Sequence, residues 1–202
     1  MNARPCWSIE WQTPQGTLRA REPWLEEVRA HADRLAAFYN QPNNRSMLTN
    51  TVDMNAGDVE AHFAALAQSG GRPFLLDCDG ALAGDADLRQ VTDRDAEVAI
   101  LIGARDRQGQ GLGTRFGIMV HAFAFAVLGL DQVYAAIIPQ NAASLRMFEK
   151  LGHDIDQGAR ARAAADDPSD VTTSINRACF RQRHGAAAAV LKFQQRHPGA
   201  LR

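Results

Sequence analysis

Three glycines alternate at the joint between a predicted strand and a predicted helix. Gly109, Gly111 and Gly113 follow the apolar run AEVAILIG (96–103) and precede the apolar stretch RFGIMVHAFAFAVL (115–128). The first amides of a helix lack intrahelical acceptors, and the helix dipole adds partial positive charge there. Glycine allows positive φ and lets an anion approach the backbone without meeting a Cβ. The joint therefore predicts a binding site for a phosphate-like anion.

Two classes of phosphate-binding turn fit this joint poorly. A P-loop requires a lysine directly before its Ser or Thr, whereas Gly113 precedes Thr114. A dinucleotide-binding turn requires Gly-x-Gly-x-x-Gly, and Thr114 occupies the position of its last glycine. Upstream, residues 72–91 predict two short antiparallel strands around an Asp-Gly turn, which does not suit a doubly wound parallel sheet.

The order of predicted elements indicates an α+β protein. Helical periodicity covers residues 22–40 and 58–69, an antiparallel meander follows over 72–103, and the rest alternates between helix and strand. A length of 202 residues is typical of one domain. We expect residues 1–184 to form that domain and residues 185–202 to form a helical tail.

Two motifs about 30 residues apart narrow the family. Gln108-x-x-Gly111-x-Gly113 and NAASLRMFEKLGH (141–153) resemble two signatures of the GNAT superfamily, the acyl-CoA-dependent N-acyltransferases. They are most similar to the branch that contains the ribosomal-protein N-terminal acetyltransferases and the spermidine acetyltransferases. The resemblance implies a GNAT-like fold, with a mixed, mostly antiparallel sheet that is splayed at its centre and flanked by helices.

The resemblance also implies where acetyl-CoA, the acyl donor, binds. Pantetheine would pair with the backbone of Ile100, Leu101 and Ile102. The pyrophosphate would lie on the turn, formed by Gln108, Gly109, Gln110, Gly111, Leu112, Gly113 and Thr114. Asn141 matches a CoA-contacting Asn of the second motif and also suits a helix N-cap. Ser144 has two interpretations as well, as a contact to CoA or as a residue of the helix surface. No residue spacing suggests a metal site.

Catalytic groups are less clearly marked than the cofactor site. Relatives carry a tyrosine that protonates the departing thiolate, and Phe148, which has no proton to donate, occupies that position beside the CoA site. Glu97 begins the central strand, and we predict it as the general base, although a solvated position on an alternating strand explains it too. Asp85 and Asp87 offer an alternative role, as an acidic wall that attracts a cationic amine.

The sequence thus predicts acetyl transfer from acetyl-CoA to a primary amine of a small molecule or a protein N-terminus, by direct attack in a ternary complex. A non-catalytic or weakly active acyl-CoA-binding module stays open because of Phe148. The formal net charge of −1 predicts neither a nucleic-acid nor a membrane partner. Three scattered cysteines favour a reducing compartment, so we expect a cytoplasmic protein. Because dimers are common in the family that the sequence resembles, we also expect a homodimer.

Overall fold

A nine-stranded sheet forms the centre of the computed structural model, which describes residues 5–48 and 52–197. Its strand order is β7-β8-β6-β5-β4-β3-β2-β1-β9, and every neighbouring pair is antiparallel except β5 and β6. The strands are Cys6–Thr13 (β1), Gly16–Arg21 (β2), Arg72–Cys78 (β3), Ala81–Arg89 (β4), Asp95–Ile102 (β5), Gln132–Ile137 (β6), Asp154–Ile155 (β7), Val171–Asn176 (β8) and Lys192–Arg196 (β9).

Helices cover both faces of this sheet. Apolar residues of α4, α5 and α7 join the main core on one face, while α1 and α3 form a second core on the other. None of the helices in the described ranges is long and apolar enough to cross a membrane. The α-helices are Leu25–Asn40 (α1), Pro42–Arg45 (α2), Ala56–Gln68 (α3), Leu112–Ala126 (α4), Ala142–Leu151 (α5), Ala159–Ala163 (α6) and Arg177–Ala188 (α7), and Arg105–Arg107 is a 3-10 turn.

The sheet splits along its one parallel pair. β5 and β6 are paired only from Asp95 opposite Gln132 to Glu97 opposite Tyr134. The rest of β5, up to Ile102, remains paired with β4 on its other side. The two strands therefore diverge and leave a wedge beside the second half of β5, which confirms the predicted mixed sheet that is splayed at its centre and flanked by helices.

The prediction of a helical tail over 185–202 is wrong beyond the end of α7. Lys192–Arg196 form β9, which pairs with the outer edge of β1. An unpaired strand edge offers backbone donors and acceptors, and this pairing outweighs a weak helical propensity. The strand is anchored by Arg196, which contacts Glu27 at 2.6 Å and lies 4.0 Å above the ring of Trp24. Residues 198–202 lie outside the described ranges.

Two histidines form a buried hydrogen-bonded pair between α4 and the start of β7. His121 Nε2 lies 2.8 Å from His153 Nε2, and His121 Nδ1 lies 2.7 Å from the carbonyl of Gly117. A carbonyl only accepts, so His121 donates from Nδ1 and accepts at Nε2 from His153. The hydroxyl of Thr173, 3.1 Å from His153 Nδ1, then donates to that nitrogen. All four ring nitrogens are satisfied with both rings neutral.

This neutral pair should make the protein sensitive to acid. Burial lowers the pKa of His121 from 6.5 to about 4, and burial with the nearby His121 also lowers the pKa of His153. A lowered folded-state pKa stabilises the fold above pH 6.5, and that stability is lost as the pH falls towards 4. The free energy of unfolding should fall by up to about 1.4 kcal/mol per pH unit for each histidine.

Denaturant unfolding at a series of pH values would measure this slope. In the double variant His121→Leu/His153→Phe, the free energy of unfolding should fall less steeply with decreasing pH than in the wild type, between pH 6.5 and pH 4. His197→Gln, at an exposed histidine, is the matched control and should keep the wild-type slope. Equal slopes in the wild type and the double variant would contradict the prediction.

Candidate functional site

The glycine turn ends in the N-terminus of α4. Gly109 and Gly111 have φ of +73° and +75°, in the left-handed region, and Gly111 is the N-cap residue of the helix. A Cβ at either position would meet no atom within 4 Å, so both glycines border open space. Arg115 makes the first intrahelical bond, to the carbonyl of Gly111 at 3.1 Å. The amides of residues 112–114 lack helical acceptors and are available to an anion.

Side-chain amides fix the turn to the end of β5. Gln108 Nε2 donates to the carbonyl of Ile102 at 2.7 Å and to Asn44 Oδ1 at 3.0 Å. Asn44, which is buried in α2, donates in turn to the carbonyl of Phe38 at 2.8 Å. The side-chain amide of Gln108 therefore holds the turn against β5 and α2 through the hydrogen bonds that it donates.

A cavity of about 470 Å³ lies over this turn and the splayed half of β5, and we name it the turn cavity. Its walls contain every residue predicted to bind the cofactor except Gln110 and Phe148. Gln110 donates to the carbonyl of Asp106, and Phe148 is buried in the core with its ring 4.8 Å from that of His153. The predicted residues on the walls are Ile100, Leu101, Ile102, Gln108, Gly109, Gly111, Leu112, Gly113, Thr114, Asn141 and Ser144.

Three cationic residues on the same walls were not predicted from the sequence. Arg107, Arg146 and Lys150 line the turn cavity, and no carboxylate does so among the described residues. Arg146 and Lys150 are four residues apart on α5 and so share one helix face. That spacing was a usable signal, whereas their convergence with Arg107 depends on the fold. Cations and open helix amides together suit a ligand with several phosphates.

Asn141 is confirmed as the N-cap of α5. Its Oδ1 accepts from the amide of Ser144 at 3.0 Å, and its Nδ2 donates to the carbonyl of Met47 at 3.4 Å. Both Asn141 and Ser144 also lie on the walls of the turn cavity. The cap and the ligand contact are thus compatible at these positions.

A second cavity, of about 180 Å³, lies between α1, α3 and the face of β4 and β5 beneath them. We name it the carboxylate cavity because Asp85 and Asp87 of β4 line it. It shares Leu48, Ile100 and Leu101 with the turn cavity. Its other lining residues are Tyr39, Val52, Met54, His62, Arg89 and Ala99.

The two aspartates are buried without adequate partners. Asp85 is 7% exposed and accepts a hydrogen bond from the hydroxyl of Tyr39 at 2.7 Å through Oδ2. Asp87 is 9% exposed and lies 4.0 Å from Arg89 Nε. Within the described ranges, the Oδ1 atom of each has no hydrogen-bond partner. Burial raises the pKa of Asp85 to about 7 and also raises the pKa of Asp87.

Glu97 is separated from both cavities. It is fully buried, accepts a hydrogen bond from Arg89 Nη2 at 2.7 Å, and lies on the walls of neither cavity. Desolvation raises its pKa, while Arg89 opposes that shift. Its predicted role as the base stays a prediction, and its observed contact is an ion pair within the sheet.

A third depression, of about 650 Å³, lies on the face of β1, β2 and β9 away from the glycine turn. Its arginines are paired with carboxylates, since Arg21 contacts Asp77 at 2.8 Å and Glu27 at 3.0 Å. In the part of the chain that the structure describes, no group of three or more His, Cys, Asp or Glu residues is placed to hold a metal ion.

Residues 23–154 match the family model of the acetyltransferase (GNAT) domain. Spermidine N(1)-acetyltransferase of Escherichia coli (strain K12) is 32% identical over 87 residues, which is 42% of this chain and 46% of that protein. The match therefore spans about half the length of this curated relative.

Solved structures share the fold. RimJ of Mycobacterium smegmatis, in complex with CoA-disulfide, has a TM-score of 0.72 at 18% identity and covers 92% of this chain and 96% of its own. Aminoglycoside acetyltransferase AAC(6')-Ib, in complex with coenzyme A, has a TM-score of 0.68 at 17% identity, with 82% and 98% covered.

Gly111→Val should abolish or strongly weaken the binding of coenzyme A. The new side chain would project into the turn cavity and would hold a branched residue in the left-handed region, which costs about 1–2 kcal/mol of stability. Isothermal titration calorimetry would measure the affinity, and we expect a loss of at least about tenfold.

Gly129→Val is the matched control for backbone strain. Gly129 has φ of +74° and, like Gly111, open space around a Cβ, but it follows the other end of α4. It should lose similar stability and keep its affinity. An unchanged affinity in Gly111→Val, or equal losses of affinity in both variants, would contradict the assignment of the turn.

Proposed function

Because the chain belongs to the acetyltransferase (GNAT) domain family, we propose that it transfers an acetyl group from acetyl-CoA to a primary amine. One observation carries this proposal: a cavity walled by cations and a cavity walled by carboxylates meet at β5. Leu48, Ile100 and Leu101 belong to both. An anionic donor and a cationic acceptor would therefore meet over the same short stretch of strand.

The turn cavity fits coenzyme A by its chemistry. Pyrophosphate oxygens would bind the helix amides beside Gly111, with the cations of the wall nearby. The edge of β5 beyond Glu97, which β6 leaves unpaired, offers backbone groups to the amides of an extended pantetheine. RimJ and AAC(6')-Ib, which have the same fold, were solved with coenzyme A or its disulfide.

The carboxylate cavity fits a primary ammonium group. Asp85 and Asp87 supply negative charge, and Met54, Ala99 and Leu101 supply an apolar wall for the carbon chain beside it. The acceptor is a small molecule or a protein N-terminus that reaches this cavity. Related proteins are named for spermidine and for aminoglycosides, both of which are amines.

Transfer would proceed by direct attack in a ternary complex. Two cavities that share a wall would hold both reactants at once, and this supports attack of the amine on the thioester without a covalent enzyme intermediate. Acetyl-CoA would be the acyl-donor cosubstrate, and no metal is needed for this chemistry. Cytoplasmic location and homodimerisation stay predictions from the sequence.

The alternative, a non-catalytic acyl-CoA-binding module, is favoured by Phe148, which is buried in the core and supplies no acid to the cavity. Two measurements on the same protein separate the two functions. Calorimetry should detect acetyl-CoA binding, and a thiol-release assay should detect turnover with members of a panel of monoamines, polyamines, aminoglycosides and short peptides with free N-termini. Thiol release without an amine is the background control.

Each outcome has a definite meaning. Binding together with amine-dependent thiol release supports the proposed transferase. Binding with only background release across the panel favours the non-catalytic module. Absence of acetyl-CoA binding would contradict both functions.

A further inference from the structure

We infer that Asp85 takes the proton from the incoming ammonium group, and that Tyr39 is the positioning residue that orients it. The inference deepens the proposed function and rests on it. It begins from the geometry of the carboxylate cavity, where the hydroxyl of Tyr39 holds one carboxylate oxygen of Asp85 at 2.7 Å. The other oxygen has no hydrogen-bond partner among the described residues.

The register of the sheet places Asp85 where the two cavities join. Asp85 of β4 lies opposite Leu101 of β5, which lines both cavities. Asp87 lies opposite Ala99 of β5, which lines only the carboxylate cavity. An ammonium group that Asp85 binds is therefore nearer to the thioester side of the wall than one that Asp87 binds. Proximity to the reacting carbonyl is the first requirement for a general base.

The three buried carboxylates of β4 and β5 differ in the cations that they contact. Glu97 and Arg89 form an ion pair at 2.7 Å, and Asp87 faces the same arginine at 4.0 Å. Asp85 contacts no cation among the described residues, and its hydrogen bond comes from the neutral hydroxyl of Tyr39. A carboxylate without a cation can exchange its proton without breaking an ion pair.

The surroundings tune Asp85 to neutral pH. Burial and the charge of Asp87 raise its pKa to about 7, and the hydrogen bond from Tyr39 opposes the rise. This is near the value at which a base is both largely ionised and able to hold a proton. The charged and titratable groups around Asp85 are Tyr39 of α1, His62 of α3, Asp87 and Arg89 of β4, Glu97 of β5 and Asp166 before β8.

The protons of the reaction balance with this assignment. The ammonium R–NH₃⁺ gives one proton to the Asp85 carboxylate and becomes R–NH₂. The nitrogen lone pair forms the C–N bond to the thioester carbonyl, and the C–S bond breaks with its electron pair on sulfur. The nitrogen loses its second proton to the thiolate, which leaves as the thiol, and Asp85 releases its proton to solvent.

The dependence of kcat/KM on pH tests the inference, with an accepted primary amine and saturating acetyl-CoA. In the wild type kcat/KM should rise about tenfold per pH unit below pH 7 and then level off. Asp85→Asn should remove this rising part of the profile, which we call the limb, and should lower kcat/KM at pH 8 by at least about a hundredfold. Its affinity for coenzyme A by calorimetry should stay near that of the wild type, because Asp85 does not line the turn cavity.

Two further variants should move the limb in opposite directions. Tyr39→Phe removes the hydrogen bond that lowers the pKa of Asp85 and orients its carboxylate, so the limb should shift to higher pH and the plateau should fall. Asp87→Asn removes the neighbouring negative charge, so the limb should shift to lower pH while KM for the amine rises. A merely structural role for these side chains would not produce opposite shifts. Glu97→Gln, which tests the other candidate base, should keep the limb.

The outcomes distinguish this inference from the proposed function. If no amine of the panel raises thiol release by the wild type above background, the function fails and the role of Asp85 fails with it. If the wild type is active but Asp85→Asn keeps the limb and the rate, or Tyr39→Phe leaves the limb in place, only the role of Asp85 is overturned. Should Asp85→Asn not fold, the limb in Tyr39→Phe and Asp87→Asn still decides.

Discussion

The divergence of β5 from β6 is the constraint on which the rest of the site depends. The two strands share only three residue pairs, after which β5 keeps its partner β4 and loses the one on its other edge. Backbone groups on that edge must then find another partner, and Gln108 already takes the carbonyl of Ile102. The same separation opens the turn cavity and aligns it with the N-terminus of α4. A ligand with amides and phosphates would complete the polar contacts that the sheet leaves open.

The buried negative charge of Asp85 and Asp87, on the face of β4 beneath α1 and α3, is costly and needs an explanation. An aspartate that is 7% exposed, with a neutral hydroxyl as its partner, lacks the cation that normally offsets desolvation. An apolar residue at position 85 would lie between its cross-strand neighbours Leu75 and Leu101, which belong to or pack against the second core, at no such cost. Local conflicts of this kind concentrate at functional sites, where a ligand supplies the missing charge. The ammonium group proposed as the acceptor would supply that charge to both Asp85 and Asp87.

Local patterns predicted the parts of this structure that depend on neighbours in sequence. The turn at Gly109 and Gly111 and the N-cap at Asn141 follow from residue type and spacing. Long-range pairing decided the rest. The contact between Glu97 and Arg89 requires the register of two strands, and β9 forms because β1 offers an unpaired edge to a segment about 180 residues away. The position of Glu97 on a strand is readable from the sequence, whereas its contact with Arg89 is not.

Phe148 and His153, which both lie in the second family motif, form a single packing unit. Their rings lie 4.8 Å apart, and His153 is also bound to His121 of α4, with both histidines neutral and fully satisfied. A phenolic hydroxyl at position 148 would have to find a partner in this closed arrangement, or else remain buried without one. The core therefore favours phenylalanine there for reasons of packing, independently of catalysis. In the proposed reaction the departing sulfur would need no acid from this position, because the attacking nitrogen carries a proton that it must lose in any case.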